Sequence, residues 1–227
     1  FVDLAGVEVD AKGAVTGRLF RLDDWLRERL ASDMETDVKA LSERLSSYGI
    51  TGFTDTSATN TDDTAALFTD WRSQGLLRQR VMLMGGDQLC EGPLKIVLDE
   101  DALPPLPELI RRLRRARAAG RALAFHCVTH IELLFALSAL DAVEVDRRDR
   151  IEHGAIVYDE VLGLLRERGV SVVTQPGFLW QRGERYLQDL SGLEIDHLYR
   201  HAGLAAAGIN VVVSSCLLYT SPSPRDT

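Results

Sequence analysis

The stretch from residue 122 to residue 154 constrains the fold more than any other part of the sequence. It begins and ends with a short strand-like run, and the two runs stop at His126 and His153. A helical pattern over 131–140 and a polar turn at 146–149 lie between them, which predicts a βαβ unit. Because parallel α/β folds carry their chemistry at the C-terminal ends of strands, the two imidazoles could face one metal ion.

The same order of elements recurs along the chain: a helix, a glycine, an apolar strand and then a polar residue. Continuous apolar strands are typical of parallel sheets covered on both faces, so we expect a parallel α/β fold. No glycine-rich phosphate loop follows the first strand, which favours an incomplete (β/α)8 TIM-type barrel lacking strand one over a doubly wound sheet. The repeats run from Gly49 to Asp55, Gly120 to His126, Gly169 to Gln175 and Gly208 to Ser214, and further strands end near Gly85, Asp99 and His153.

Three helical segments are predicted ahead of the βαβ unit at 122–154. The apolar spacing over residues 22–48 predicts one or two helices that end before Gly49. Residues 62–74 form a second predicted helix with Asp62 or Asp63 near its N-cap. A run of prolines leads into a third helix over 108–119.

Three parts are distinguished by pattern. Residues 1–20 are a weakly patterned lead-in with a predicted turn at 10–13, and residues 21–215 are the partial barrel domain. Residues 216–227 contain alternating Ser and Pro and resemble translated adapter sequence at the ends of metagenomic reading frames, so we expect an artefactual or disordered tail. The chain begins with Phe1 rather than Met, which together with the tail predicts a fragment.

Composition restricts the partners. The net charge of −8, from 26 basic and 34 acidic residues, argues against nucleic acid or an anionic membrane as a partner. No apolar run reaches the roughly 20 residues of a membrane span. The 3 cysteines are too few for a disulfide framework and favour a reducing compartment, so we expect a cytoplasmic protein with a small-molecule substrate. The sequence gives no indication of oligomeric state.

Lys95 is the third candidate for the site. It lies within 92–99, with apolar residues on both sides. A lysine buried in a strand is costly unless it is paired or modified. Either the strand is short and Lys95 reaches solvent, or carboxylation converts Lys95 into an anionic metal ligand.

Weaker candidates follow from position alone. Gln175 ends a strand and either orients the substrate or caps the rim of the barrel, and His130 begins a helix as a cap or a substrate-binding residue. Cys127 adjoins His126, but alternation along a strand predicts that it lies in the core. Glu152 is expected to point away from His153 and to act as a structural partner.

These residues together resemble the amidohydrolase superfamily, and within it amidohydrolase family 3, over most of the chain to residue 215. The resemblance implies a (β/α)8 barrel with a small β-sandwich built from the two chain ends, which this chain would lack. It also implies one or two divalent metal ions, usually zinc, and hydrolysis of a carbon–nitrogen bond other than a peptide bond. The matching stretches are 10–17, 49–52, 92–95, 125–129, 150–153, 169–176 and 207–215.

The resemblance also implies roles for individual residues. Lys95 matches the strand-four lysine that carboxylation turns into a metal bridge, and His126 and His153 match the metal ligands of strands five and six. A bound metal would acidify water and polarise the substrate carbonyl.

The sequence departs from the family pattern at the remaining positions of the site. It contains no His-x-His pair, and Cys216 stands where the strand-eight Asp, the general base, is expected. Phe178 occupies a place where many relatives have a histidine. We therefore expect this chain to be inactive and to bind metal poorly, and we assign no catalytic residue.

Two alternatives remain open. A barrel enzyme could use His126 and His153 as acid and base without a metal. A non-catalytic α/β ligand-binding domain could carry the same histidines for stability alone. Barrels host many chemistries, so the fold does not choose among these functions.

Overall fold

The computed structural model describes residues 4, 6–19, 22, 25–26, 29 and 37–215. The predicted tail at 216–227, with Cys216, lies outside the described residues. So does most of the first half of the helical prediction over 22–48.

A β-hairpin replaces the weakly patterned lead-in expected at the start of the chain. Strands β1 (Val7–Val9) and β2 (Val15–Leu19) pair antiparallel. The predicted turn at 10–13 is confirmed, because the carboxylate of Asp10 accepts hydrogen bonds from the backbone N–H groups of Lys12 and Ala14, each at 2.8 Å. An aspartate that bonds its own loop backbone in this way stabilises a tight turn.

From residue 38 onward helices and strands largely alternate, as the sequence predicts. Short 3₁₀ turns at Glu100–Ala102 and Asp159–Val161 precede two of the helices. None of the helices in the described ranges is long and apolar enough to cross a membrane. The elements are α1 (Val38–Ser47), β3 (Gly52–Asp55), α2 (Asp62–Ser73), β4 (Arg80–Leu83), β5 (Leu94–Val97), α3 (Leu106–Ala118), β6 (Leu123–Cys127), α4 (His130–Leu140), β7 (Arg150–His153), α5 (Leu162–Arg168), β8 (Ser171–Thr174), α6 (Gly177–Asp189), α7 (Gly192–Asp196), α8 (His201–Ala206) and β9 (Val211–Val213).

The parallel α/β class expected from the sequence is confirmed. Strands β5 to β9 form a five-stranded parallel sheet in sequence order, and β3 pairs with β4 in parallel. A parallel bridge between Gly85 and Leu94 continues this order from β4 to β5, with Lys95 N–H donating to the Gly85 carbonyl at 2.9 Å. Within the described residues β3 and β9 each pair with a single neighbour, so the sheet is open.

The main core lies between one face of the five-stranded sheet and its helices. Alternate strand residues are 0–2% exposed there, among them Ile96, Phe125, Ile151 and Val172. Cys127 is also in this core, 1% exposed, as its position next to His126 predicts. Side chains alternate between the faces of a strand. The positions between these apolar residues therefore belong to the opposite face, which carries the polar residues of interest.

Asp62 and Asp63 lie next to the N-cap of α2, as the sequence predicts. The N-cap itself is Thr61, whose hydroxyl accepts a hydrogen bond from Thr64 N–H at 3.4 Å. The two aspartates occupy the first turn, where their negative charge interacts favourably with the positive end of the helix dipole. Helix α4 has a reciprocal cap between Thr129 and Glu132, which makes His130 its first residue.

Candidate metal centre

The structure brings His126 and His153 together at the C-terminal ends of β6 and β7. Their ring centroids are 4.6 Å apart, with an interplanar angle of 75°. The strand register alone does not explain why the two rings are close. His126 pairs with Glu152, and His153 pairs with Cys127. On simple alternation the two histidines would point to opposite faces of the sheet.

The backbone of His153 explains why the rings nonetheless meet. Its φ is +71°, in the left-handed region, and Gly154 follows with φ +50°. Rotation of φ from an extended value to this one carries the Cβ of His153 to the other face of the strand, the face of His126. Left-handed backbone is uncommon outside glycine, although histidine is among the residues enriched there, and such strain concentrates at functional sites.

Gln175 holds the ring of His153 from the next strand. Its Oε1 lies 2.7 Å from His153 Nδ1, and its Nε2 donates to the Val173 carbonyl at 3.1 Å and to Ser214 Oγ at 2.8 Å. Gln175 is 2% exposed. These hydrogen bonds hold Gln175 against His153, and its expected part in orienting substrate or capping the rim stays a prediction. The sequence did not indicate Ser214 as part of this network.

Burial controls the charge state of both imidazoles. It lowers the pKa of His126 to about 3, with smaller contributions from His153 and the Lys95 ammonium. Burial also lowers the pKa of His153, and Lys95 acts in the same direction, while the hydrogen bond to Gln175 opposes the shift. Both rings are therefore neutral near pH 7, the form in which histidine binds metals.

Lys95 lies on the same face of the sheet as His126. It pairs in register with Ala124, two residues before His126, and it is only 5% exposed. The expectation that Lys95 is buried is therefore correct, and the solvent-exposed alternative is not. Glu152 is 3% exposed and forms an ion pair with Arg150, which accords with its expected structural part. It pairs in register with His126, however, so the left-handed backbone of His153 brings that ring to the face of Glu152, and the expectation that Glu152 points away from His153 is wrong.

His130 belongs to a different cluster. Its ring lies 4.3 Å from that of Tyr158, and its Nε2 is 3.3 Å from Glu160 Oε1, in a geometry that does not make a hydrogen bond. His197 packs edge-on against the same Tyr158 ring, with the two ring centroids 4.9 Å apart. In the described part of the chain, none of these contacts links His130 to His126 or His153.

Phe178 covers the outer side of His153. The two rings are nearly parallel, with centroids 6.4 Å apart, and Phe178 is 5% exposed. The guanidinium of Arg182 lies 5.1 Å from the Phe178 ring on the same helix, α6. An aromatic ring in this place excludes water from His153 but supplies no ligand atom, in line with the departure noted from the sequence.

The side chains fit a divalent metal ion in part. Two neutral imidazoles are suitable ligands, and the Gln175 amide supplies the outer hydrogen bond that metal-binding histidines usually have. Catalytic zinc sites, however, use about three protein ligands. Among the described residues, no group of three or more His, Cys, Asp or Glu lies close enough together to hold an ion.

Comparison with solved structures gives the class of fold. The chain matches an uncharacterised metal-dependent hydrolase from Pyrococcus horikoshii OT3 with a TM-score of 0.71 and 18% identity, over 99% of this chain and 54% of that one. An uncharacterised metal-dependent hydrolase from Pyrococcus furiosus matches with a TM-score of 0.69 and 17% identity, over 99% of this chain and 55% of that one. A. niger ochratoxinase matches with a TM-score of 0.59 and 14% identity, over 78% of this chain and 55% of that one.

These similarities confirm the predicted resemblance at the level of the fold. The chain has the fold found in metal-dependent hydrolases and amidohydrolases. It spans a little over half the length of the solved structures described above. No protein-family model matches the sequence, and no curated protein matches it either.

Proposed function

We propose that this chain is part of a metal-dependent hydrolase, in which His126 and His153 are ligands of a divalent metal ion. The observation that carries the proposal is the 4.6 Å approach of the two rings, which depends on the left-handed backbone of His153. Residues held in left-handed backbone cluster at functional sites, which supports a functional part for His153. The fold shared with metal-dependent hydrolases supports the same function.

Each residue has a distinct part in this proposal. The two imidazoles bind the ion, and Lys95, buried on the same face, contributes a carboxylated side chain that binds one ion or bridges two. Zinc is the expected metal. When bound, such an ion lowers the pKa of a water ligand and polarises a substrate carbonyl. Phe178 shields the His153 side of the site from solvent.

The substrate class is also a proposal. We expect a small molecule with an amide-type carbon–nitrogen bond that is not a peptide bond, as the resemblance implies. The chain itself is expected to be inactive, because two histidines and a lysine fall short of the ligands and the general base that hydrolysis needs.

Metal binding by the purified chain tests the proposal. Co²⁺ is the probe, because its visible spectrum reports nitrogen ligands, and Zn²⁺ competes for the same site. The variants are His126→Gln and His153→Gln, with His201→Gln at an exposed histidine as the matched control. We expect weak binding by the wild-type chain, a loss of more than about tenfold in affinity in each site variant, and no change in the control.

Three results would contradict parts of this proposal. Equal Co²⁺ affinity in all four proteins would show that the strand-end histidines are not the ligands. Amide hydrolysis by the chain with added Zn²⁺ would disprove its expected inactivity. Hydrolysis that persists with a chelator would favour metal-independent acid–base catalysis instead.

A further inference from the structure

The hydrogen bonds around Gln175 determine which nitrogen of His153 carries the proton. The Val173 carbonyl can only accept a hydrogen bond, so the group of Gln175 that lies 3.1 Å from it must be the amide NH₂. Reversing the amide would place two carbonyl oxygens against each other. The amide oxygen of Gln175 is therefore the atom that lies 2.7 Å from His153 Nδ1.

An amide oxygen is also only an acceptor, so Nδ1 of His153 must be the donor. An imidazole that binds a metal is neutral and carries a single ring proton. A neutral imidazole with its proton on Nδ1 has its lone pair on Nε2. Ser214 holds the amide from its other side at 2.8 Å, which limits its rotation.

We propose that Gln175 is a positioning residue for His153: it holds the imidazole as the Nδ1–H tautomer, so that Nε2 keeps the lone pair that a metal ligand needs. The use of that lone pair by a metal rests on the proposed function, whereas the choice of tautomer does not. Gln175 lies 22 residues beyond His153 in the chain, on the loop that follows β8. It acts through the histidine and needs no contact with a substrate.

Two-bond ¹H–¹⁵N NMR of the histidine rings in the metal-free full chain tests the tautomer directly. The wild-type chain should show His153 protonated on Nδ1, with the signals assigned by their loss in His153→Gln. His197 is an internal control, because its Nδ1 lies 2.8 Å from the Leu193 carbonyl and so is independent of Gln175.

Variants then separate positioning from simple packing. Gln175→Leu should lower the ratio of Nδ1–H to Nε2–H at His153 by about tenfold, the effect of one buried hydrogen bond. Gln175→Glu keeps an oxygen that accepts the same bond, so the Nδ1–H form should persist; its other oxygen loses the bond to the Val173 carbonyl, so the comparison uses only protein shown by its NMR spectrum to be folded. Zn²⁺ affinity should fall by about tenfold or more in the leucine variant and much less in the glutamate variant.

The outcomes are distinguishable from those of the proposed function. An Nε2–H tautomer in the wild-type chain would overturn the positioning of His153, and this result does not depend on whether any variant folds. An unchanged ratio in folded Gln175→Leu would also overturn it. A ratio that falls while none of the proteins binds Zn²⁺ would support the positioning and contradict the metal site.

Discussion

The buried polar side chains at the two ends of the five-stranded sheet differ in how many hydrogen bonds they make to the rest of the protein. At the N-terminal end, Arg121 is 8% exposed and donates hydrogen bonds to four backbone carbonyls, those of residues 85, 86, 92 and 93, at 2.9–3.2 Å. Asp149 is 2% exposed, accepts a bond from Leu123 N–H at 2.8 Å and pairs with Arg117.

The C-terminal end carries polar rings with much less internal bonding. Within the described residues the His126 ring makes no hydrogen bond, and His153 makes a single one, to Gln175. Burying polar groups with few partners lowers stability, so such groups are retained where they serve another purpose. Polar side chains therefore stabilise this sheet at its N-terminal end. At the C-terminal end, where α/β barrels bind substrates, the imidazoles of His126 and His153 keep nitrogen lone pairs without a hydrogen-bond partner among the residues that the structure describes.

The largest effect is expected from removal of Arg121. Arg121→Met should lower the free energy of unfolding by about 3 to 5 kcal/mol, because four carbonyls lose a charged donor and two of these hydrogen bonds, to residues 85 and 93, are buried. Urea unfolding measures the change. Arg115→Met, at an exposed arginine of α3, is the matched control and should change little. Equal losses in both variants would remove the contrast between the two ends of the sheet.

A smaller effect of opposite sign is expected at the other end. His126→Leu should leave the free energy of unfolding unchanged or raise it by about 1 kcal/mol, since leucine gains apolar burial and abandons no hydrogen bond. His201→Leu, at an exposed site, is the control for the same measurement. A loss of more than about 2 kcal/mol for His126→Leu would support the non-catalytic alternative, in which the histidines serve stability.

The smallest effect concerns acid sensitivity at the N-terminal end. Hydrogen bonds from Arg148 lower the pKa of Asp146 to about 2, so its contribution is present above the unfolded pKa and is lost as the pH falls through that value toward about 2. Asp146→Asn should cost about 0.5 kcal/mol at about pH 5, and the difference from the wild-type chain should shrink between about pH 4 and about pH 2.

Urea midpoints for both proteins across this pH range measure that difference. Asp196→Asn, at an exposed aspartate of α7, is the control for loss of one negative charge. A difference that stays constant with pH would show that the Asp146 pair does not stabilise the turn before β7.

Much of the fold could be predicted because its signals are local. Apolar runs, glycines after helices and polar residues at strand ends predicted the parallel strands β3 to β9 and the helices α1 to α5, whereas α6 and α7 were not predicted. The start of α2 was located to within a residue or two: Asp62 and Asp63 lie beside the N-cap Thr61, whose identity depends on the backbone conformation where the helix begins. The burial of Lys95 followed from its apolar neighbours, because a strand covered on both faces leaves little route to solvent.

The site was predicted only in part. Its location at the ends of β6 and β7 follows from the pattern of His126 and His153, but alternation alone would have separated the rings. His130 was expected either to cap a helix or to bind substrate. The structure makes it the first residue of α4, after the N-cap Thr129, and packs it on Tyr158, while substrate binding stays a prediction. The expectation that Gln175 contacts substrate or caps the rim stays a prediction, and the sequence did not indicate its hydrogen bonds to His153 and Ser214.

Hydrophobic spacing acts over a few residues, so local patterns were enough to indicate parallel strands covered by helices and the residue types at the strand ends. Tertiary structure alone decided the orientation of those residues. The left-handed backbone at His153 and the packing of Gly154 against Val172, where an added Cβ would come within 2.8 Å, bring the ring to His126. Such orientation depends on contacts between distant strands, which no local pattern encodes.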